Sequence, residues 1–336
     1  MKSNYKTIFF DNKPIIKSTY SIVGPKEAGG NLGSFFDKTL KDDRFKESTY
    51  EKAECKMLSQ AIKGVIKKVG SDVNDVELLV AGDLLNQIIS ASFSARDFDI
   101  PFLGLYNACA TIVEALIVSG MAISGKFVKN AVSATVSHFS TAERQYRYPL
   151  ELGSIRPPQS QWTVTGSGAY FIEDYKKGYP SISSATIGKV VDFGVTDANN
   201  MGAAMAPAAC STFARHFKAT KTSPKDYDLV LTGDLGALGS RIFKKLLIDE
   251  GYDADANHVD CGELIYNIDE KVFQGGSGAG CSAVVFGSYV YPMLKSKKVN
   301  KVLFGATGAL LSTVSTQQGE SIPGICHVVC VENVYD

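Results

Sequence analysis

The stretch GLYNACATIVEAL, Gly104 to Leu116, sets one cysteine where an extended run turns into a helix. A thiol at the first turn of a helix feels the positive end of the macrodipole, which lowers its pKa toward a reactive thiolate. Cys109 is therefore a candidate nucleophile. The competing reading is packing, since cysteine outside disulfides is also among the most buried residue types.

Working outward, Leu103 to Gly125 is apolar apart from Asn107, Thr111, Glu114 and a few serines, long enough to imitate a membrane span. Glu114 in mid-run and the turn residues at both ends argue instead for a central helix buried between sheets, where apolar character all round is the rule. A strand-like run, KFVKNAVSATVS, follows it.

The same pattern occurs twice. DVELLVAGDLLNQ (Asp75 to Gln87) resembles DYDLVLTGDLGAL (Asp226 to Leu238), and Asp83 and Asp234 lie 151 residues apart. A helical stretch precedes each, Glu51 to Val69 and Gly202 to Ala219. Further on, KVNKVLFGATG follows a helix opening in GGSGAGCSAVVFGSYV, as KFVKNAVSATVS follows the Cys109 helix. The runs LLVAG, NAVSATVS, DLVLTG and KVLFGA are apolar throughout, as strands covered on both faces are. Alternation with helices predicts an α/β protein of two similar halves, each a mostly parallel sheet. The boundary is expected near KKGYPS (Lys176 to Ser181), giving halves 1–178 and 179–336.

With 45% hydrophobic residues in 336, the chain can fill a large core. Lys plus Arg and Asp plus Glu number 35 each, so no bulk field recruits nucleic acid or an anionic membrane, and only a local basic pocket is left open. Seven cysteines and the opening MKSNYKTIFF, which carries no apolar signal segment, predict free thiols in a reducing compartment, with no disulfides.

A duplicated half with a cysteine opening its first central helix resembles the thiolase and 3-oxoacyl synthase superfamily. Within it, the strings FFDNKPII, SATVSHFSTAERQYRYPLELG, RPPQSQWTVTGSGA, LTGDLGALGSR, HVDCGELIYN and QGGSGAGCSAVVFG resemble the stage V sporulation protein AD family along essentially the whole chain. The resemblance implies a thiolase-like duplicated five-layer αβαβα fold, with mixed sheets and two central buried helices.

Carbon–carbon bond-forming relatives need a His–His or His–Asn pair from the second half to stabilise an enolate oxygen. In this chain the matching places are Gly233 or Asp234, after LVLTGD, and Ser277 in QGGSGAGCS. An anionic Asp would repel a developing oxyanion, and Ser is a weaker, shorter donor than an amide or imidazole. Of the histidines, His216 reads as a surface residue beside Arg215 and Lys218, and His258 is a candidate near Asp260. His327 in ICHVVCV faces away from Cys326 and Cys330 on a strand, and no second ligand pair supports a metal site. His138 sits at the carboxyl end of a strand, where α/β sheets collect ligands. It is followed by TAERQYRYP, with Glu143, Arg144, Tyr146, Arg147 and Tyr148, and then by Arg156 and Trp162. Guanidinium forks and aromatic faces suit a planar, dianionic aromatic acid. GGSGAG (Gly275 to Gly280) serves close helix approach better than a phosphate cradle, because the following strand lacks a ribose-binding acid.

The resemblance implies the ligand, dipicolinic acid or its calcium chelate, loaded into the spore core and released in germination through membrane proteins of the same operon. The expected ligand-binding set is Cys109, His138, Arg144, Arg147, Trp162, Asp234 and Ser277, with no cofactor and no metal. With no membrane span, the chain is expected to be cytoplasmic in the developing cell and peripheral on the spore inner membrane, docked on those partners. A homodimer is expected through KFVKNAVSATVS as an edge strand. The rival reading is an acyltransferase using Cys109 with His138 or His258 as base.

Overall fold

The computed structural model describes residues 2–4, 7–146, 156–268 and 272–334. Strands β1 (Ile15–Val23), β2 (Leu79–Gly82), β3 (Phe102–Leu105), β4 (Asn130–Ser137) and β5 (Gly166–Glu173) lie in the order β3-β2-β4-β5-β1. Strands β6 (Ser181–Thr186), β7 (Leu229–Thr232), β8 (His258–Asp260), β9 (Lys301–Ala309) and β10 (Gly324–Glu332) lie in the order β8-β7-β9-β10-β6. In both sets the first three strands are parallel and the last two antiparallel to their neighbours. One topology is thus built twice, and the two sheets meet where Ser181 pairs with Ile15.

The main helices are α1 (Tyr50–Lys68), α2 (Thr111–Ser124), α3 (Phe139–Tyr146), α4 (Met201–Thr220), α5 (Gly236–Asp249) and α6 (Ala279–Val285). Helix α1 covers the outer face of the first sheet, and α4 with α5 covers the outer face of the second. Between the sheets lie α2 and α6, whose side chains form one cluster with both. The layers therefore run α, β, α, β, α.

The two kinds of helix differ as their surroundings demand. In α1 the buried residues Ala53, Met57, Leu58, Ala61, Ile62, Val65 and Ile66 recur at three and four, one apolar stripe, and Thr49 caps the first turn by accepting Lys52 N–H at 3.2 Å. In α2, Ile112, Val113, Ala115, Leu116, Ile117 and Ile123 bury all sides, each large side chain contributing about 1.5–3 kcal/mol. Such burial needs a sheet above and a sheet below. No helix among the described residues is long and apolar enough to cross a membrane.

One expectation is corrected. The strand β4 within KFVKNAVSATVS is not an edge, because β2 and β5 pair with it on its two sides. Its lack of charge reflects burial on both faces. The edge of the first sheet is β3, where Leu103 is 48% exposed and Tyr106, just beyond it, 52%.

Candidate functional site

Past β3 the chain makes a 3-10 turn, Ala108–Ala110, before entering α2. Ala108 holds φ at 49°, a left-handed conformation that costs a residue with a Cβ atom and persists only where the surroundings enforce it. The enforcement comes from the other half. At Gly308 of β9 a Cβ would lie 3.2 Å from the Ala108 methyl and 3.0 Å from Asn107 O, so glycine is what lets the turn sit there. The Asn107 amide lies 2.7 Å from His327 Nε2, whose Nδ1 accepts Gly188 N–H at 2.9 Å. Cys109, 6% exposed, is thereby held at the inner end of a cavity.

That cavity has a volume of about 430 Å³, within the range of small-molecule sites. Its walls include Leu84 and Asn86 after β2, Tyr106, Ala108 and Cys109, then Ala142, Gln145 and Tyr146 of α3, Met201, and Leu310 to Val314 after β9. Facing the thiol side are Ser277 and Gly278, which open α6. The Ser277 hydroxyl is buried without a hydrogen-bond partner. Gly278 at φ 108° could not be replaced without strain, and its N–H donates to Asp234 Oδ2 at 3.0 Å. Asp234 Oδ1 accepts the Thr307 hydroxyl at 2.7 Å. Gly280 N–H donates to Ser137 Oγ at 3.0 Å, and a Cβ at Gly280 would meet Gly166 O at 2.2 Å. The glycines of GGSGAG therefore serve close packing, with the N–H groups of Gly278 and Gly280 bonded inside the protein.

Helix α3 closes the cavity. The Tyr146 hydroxyl donates to Leu84 O and lies 3.0 Å from the Tyr106 hydroxyl, and Gln145 ties down the same wall by donating to Leu84 O at 3.1 Å and accepting Asn86 N–H at 3.1 Å. Burial pushes the Tyr146 pKa well above its ordinary value. Behind α3, Thr141 donates to Glu54 Oε2 at 2.7 Å. Glu54 is pushed far above the carboxylate range by burial and then by the charge of Asp83, and burial pushes Asp83 itself to about 6.

Of the expected ligand set, Cys109 and Ser277 line the cavity. Asp234 stands behind Gly278 and acts on the cavity through it. His138 does not enter: it is fully buried, its Nε2 donates to Asp43 O at 2.8 Å, and its Nδ1 accepts Ser140 N–H at 3.1 Å, which caps α3. Burial lowers its pKa. Arg144 points outward and pairs with Glu51 at 3.4 Å. Trp162 stacks on Phe139 at 4.0 Å with Lys26 over its ring at 4.2 Å, one residue away from the lining Thr163. Arg147 and Tyr148 lie outside the described residues.

The other sequence candidates also move. His216 is fully buried, not superficial, 2.8 Å from the Thr186 hydroxyl, and burial drives its pKa down to about 3. His258 lies 2.9 Å from the Thr232 hydroxyl, beside a separate polar cleft. Arg156 pairs with the buried Glu143 at 3.2 Å, and Glu143 accepts the Thr163 hydroxyl at 3.1 Å. Cys326 and Cys330 pack in the outer core of the second sheet while His327 faces inward. None of the seven cysteines is in a disulfide, and among the described residues no three His, Cys, Asp or Glu side chains converge as a metal site.

The sequence reading missed Tyr106, Gln145, Met201 and the segment Leu310 to Val314. The last was findable, because LLSTVS follows KVLFGATGA as HFSTAE follows NAVSATVS.

Two matched α/β halves, with a cysteine opening one central helix against a glycine-flanked serine opening the other, define a thiolase-like protein. The structure is similar to OleA of Xanthomonas campestris, with TM-score 0.63 at 12% identity, covering 99% of this chain and 100% of that one. It is also similar to 3-oxoacyl-[acyl-carrier-protein] synthase III of Aquifex aeolicus VF5, with TM-score 0.58 at 14% identity over 95% and 99% of the two chains. Within that fold the chain belongs to the stage V sporulation protein AD (SpoVAD) family, whose pattern matches residues 4–332. A relative from Bacillus subtilis (strain 168), stage V sporulation protein AD, is 46% identical over 327 residues, 97% of this chain and 96% of its own.

Proposed function

We propose that this sporulation protein uses the cavity between Cys109 and Ser277 to bind dipicolinic acid or its calcium chelate, for uptake into the spore core and release in germination with membrane channel partners. The observation that carries the reading is the fate of the groups facing the thiol. A synthase needs imidazole or amide donors there. Here a Cβ at Gly233 would lie 3.1 Å from Ala306 Cα and 3.2 Å from Thr307 N, so a larger residue would crowd the backbone of β9 and push it back by a few tenths of an ångström. Asp234 is engaged with Gly278 and Thr307, and neither His138 nor His258 lines the cavity. What remains among the described residues is a largely apolar and aromatic pocket in which the Ser277 hydroxyl is buried without a hydrogen-bond partner.

Two tyrosines and a slot of this size suit a planar aromatic ring. The described lining holds no Lys, Arg or His. A bare dianion would leave water without a counter-charge, whereas in the chelate calcium already balances both carboxylates, which favours the chelate. A ligand that binds only the folded state raises Tm by mass action. Calcium dipicolinate is expected to raise it by a few degrees and dipicolinate alone by less; no shift from either counts against the proposal.

One observation favours the acyltransferase reading, the strained Ala108 turn that presents Cys109, since strain collects at reactive sites. Mass spectrometry after incubation with acyl-CoA separates the two, because only the enzyme gains an acyl group on Cys109. Homodimerisation, as corrected, uses the exposed edge β3, where Leu103 and Tyr106 offer apolar cover beside unpaired backbone. Sedimentation of Leu103→Glu as a monomer, with wild type as a dimer, is the expected result.

A further inference from the structure

The polar cleft beside His258 shares no lining residue with the Cys109 cavity and encloses about 340 Å³, enough for a small molecule. One wall is α5, with Ser240, Arg241 and Lys244. The other is the edge strand β8 and the short helix Cys261–Ile265, with His258, Asp260 and Glu263.

Some of these groups are already engaged. Lys244 pairs with Asp255 at 3.0 Å. Asp260 is filled: Oδ1 accepts the N–H groups of Gly236 at 3.0 Å and Glu263 at 3.2 Å, and Oδ2 accepts Leu235 N–H at 2.9 Å and the Thr232 hydroxyl at 2.6 Å. The rest are not. The Ser240 hydroxyl makes no hydrogen bond although the residue is only 4% exposed. Among the described residues, Arg241 and Glu263 form no ion pair with each other or with any other group. The Thr232 hydroxyl gives its single proton to Asp260, so His258 Nε2, 2.9 Å from the Thr232 oxygen, is the ring nitrogen that carries a proton. Burial lowers the pKa of the ring to about 4, which leaves Nδ1 an acceptor near pH 7.

The open groups are sorted by wall. Ser240 and Arg241, on α5, donate; Glu263 and His258 Nδ1, opposite, accept. A solvated surface arginine needs no explanation, but a buried hydroxyl without a partner is costly and rare. A simple anion held by Arg241 would face the Glu263 carboxylate and be repelled. A metal ion would need acids to converge, yet Asp260 is filled and no three ligating side chains meet among the described residues.

We propose that this cleft binds a small zwitterion, a free amino acid or a short amine-bearing acid, with its carboxylate on Arg241 and Ser240 and its ammonium on Glu263 and His258 Nδ1. The guanidinium fork matches a carboxylate with two parallel bonds, and an ammonium brings donors to the two acceptors. The inference does not depend on what the Cys109 cavity binds.

The test is calorimetric titration of the full chain with glycine, 4-aminobutyrate and 6-aminohexanoate, set against acetate and ethylamine, which each carry one charge. Saturable binding of at least one amino acid is expected at millimolar concentration, with acetate and ethylamine weaker by roughly tenfold or more. Arg241→Gln and Glu263→Gln should each weaken the amino acid by roughly tenfold or more, and Ser240→Ala by about five-fold, with the calcium dipicolinate response unchanged in the Arg241 and Glu263 variants. Acetate binding as well as the amino acids, or an effect of Arg241→Gln without one of Glu263→Gln, would mean a plain anion site and overturn the proposal. So would no saturable heat with any of the three amino acids, or binding lost in Ser277→Leu and kept in Arg241→Gln, which would put the ligand in the Cys109 cavity.

Discussion

Asp83 and Asp234 occupy the same place in the two halves, each in a Gly-Asp-Leu after a matching strand, yet they hold different things. Asp83 stays within its own turn, accepting Leu85 N–H and Ala91 N–H at 2.7 Å each. Asp234 reaches across, tying the turn that opens α6 to Thr307 of β9. Duplication thus repeats the scaffold but not the site. Where the halves face each other, one supplies a thiol and the other a braced serine.

The comparison is sharpened most by removing each carboxylate. Asp234→Ala orphans a buried N–H and a buried hydroxyl, and is expected to cost about 3 kcal/mol in denaturant unfolding and to abolish the ligand-induced rise in Tm. Asp83→Ala should cost less, about 2 kcal/mol, because it also relieves the charge beside Glu54, and it should keep the ligand response. Equal loss of ligand response in both variants would break the distinction.

A second variant tests whether the missing synthase histidine can be restored. Gly233→His should overpack against β9 and destabilise by about 1–3 kcal/mol without conferring acyl-enzyme formation. A stable, acylated Gly233→His protein would contradict the steric account.

The pH dependence follows from buried groups in both halves. Burial raises Glu27 and Asp260 to about 7, so the folded state holds their protons more tightly than the unfolded chain does. Their contribution is fully present below the unfolded carboxylate values and is lost progressively as pH rises to about 7. Burial lowers His216 to about 3 and His258 and His327 to about 4, which penalises folding once the unfolded histidines protonate below their ordinary value. Between the unfolded acid and histidine values these slopes oppose each other, and above them only the acids act. Scanning fluorimetry should show Tm falling from about pH 6.5, where the histidines no longer offset the acids, to just above pH 7. Glu27→Gln, which keeps an acceptor for Thr165 N–H, should flatten that fall.

Smaller effects belong to the residues first suspected. Cys109→Ala removes one sulfur and should cost about 1 kcal/mol in stability and little in ligand affinity. Arg144→Ala breaks an exposed pair and should stay within about 0.5 kcal/mol by either measure. A large loss at Arg144 would mean that the pocket extends to the outer face of α3.

Much of this architecture was legible because burial writes itself into composition. The wrap-around apolarity of α2, the stripe of α1 and the repeated Gly-Asp-Leu each constrain a layer or a strand. The same signal misled at β4, since a strand without charges can be central as well as an edge. Site residues were harder. His138 and Arg144 lie close in sequence to a true wall, but a helix turns successive residues to different sides, so Ala142, Gln145 and Tyr146 face the cavity while Arg144 faces solvent. Whether a histidine caps a helix or meets a ligand depends on Asp43 and Ser140, contacts set by the tertiary fold.

The central claim is that the space between Cys109 and Ser277 is a reversible binding pocket. Calorimetric titration of calcium dipicolinate into wild type, Cys109→Ala and Ser277→Leu tests it most directly. The account predicts saturable heat with one site per chain in wild type, nearly the same affinity in Cys109→Ala, and no binding in Ser277→Leu, where a larger side chain fills the cavity and removes its unbonded hydroxyl. Undiminished binding in Ser277→Leu, or no saturable heat in wild type, would contradict it.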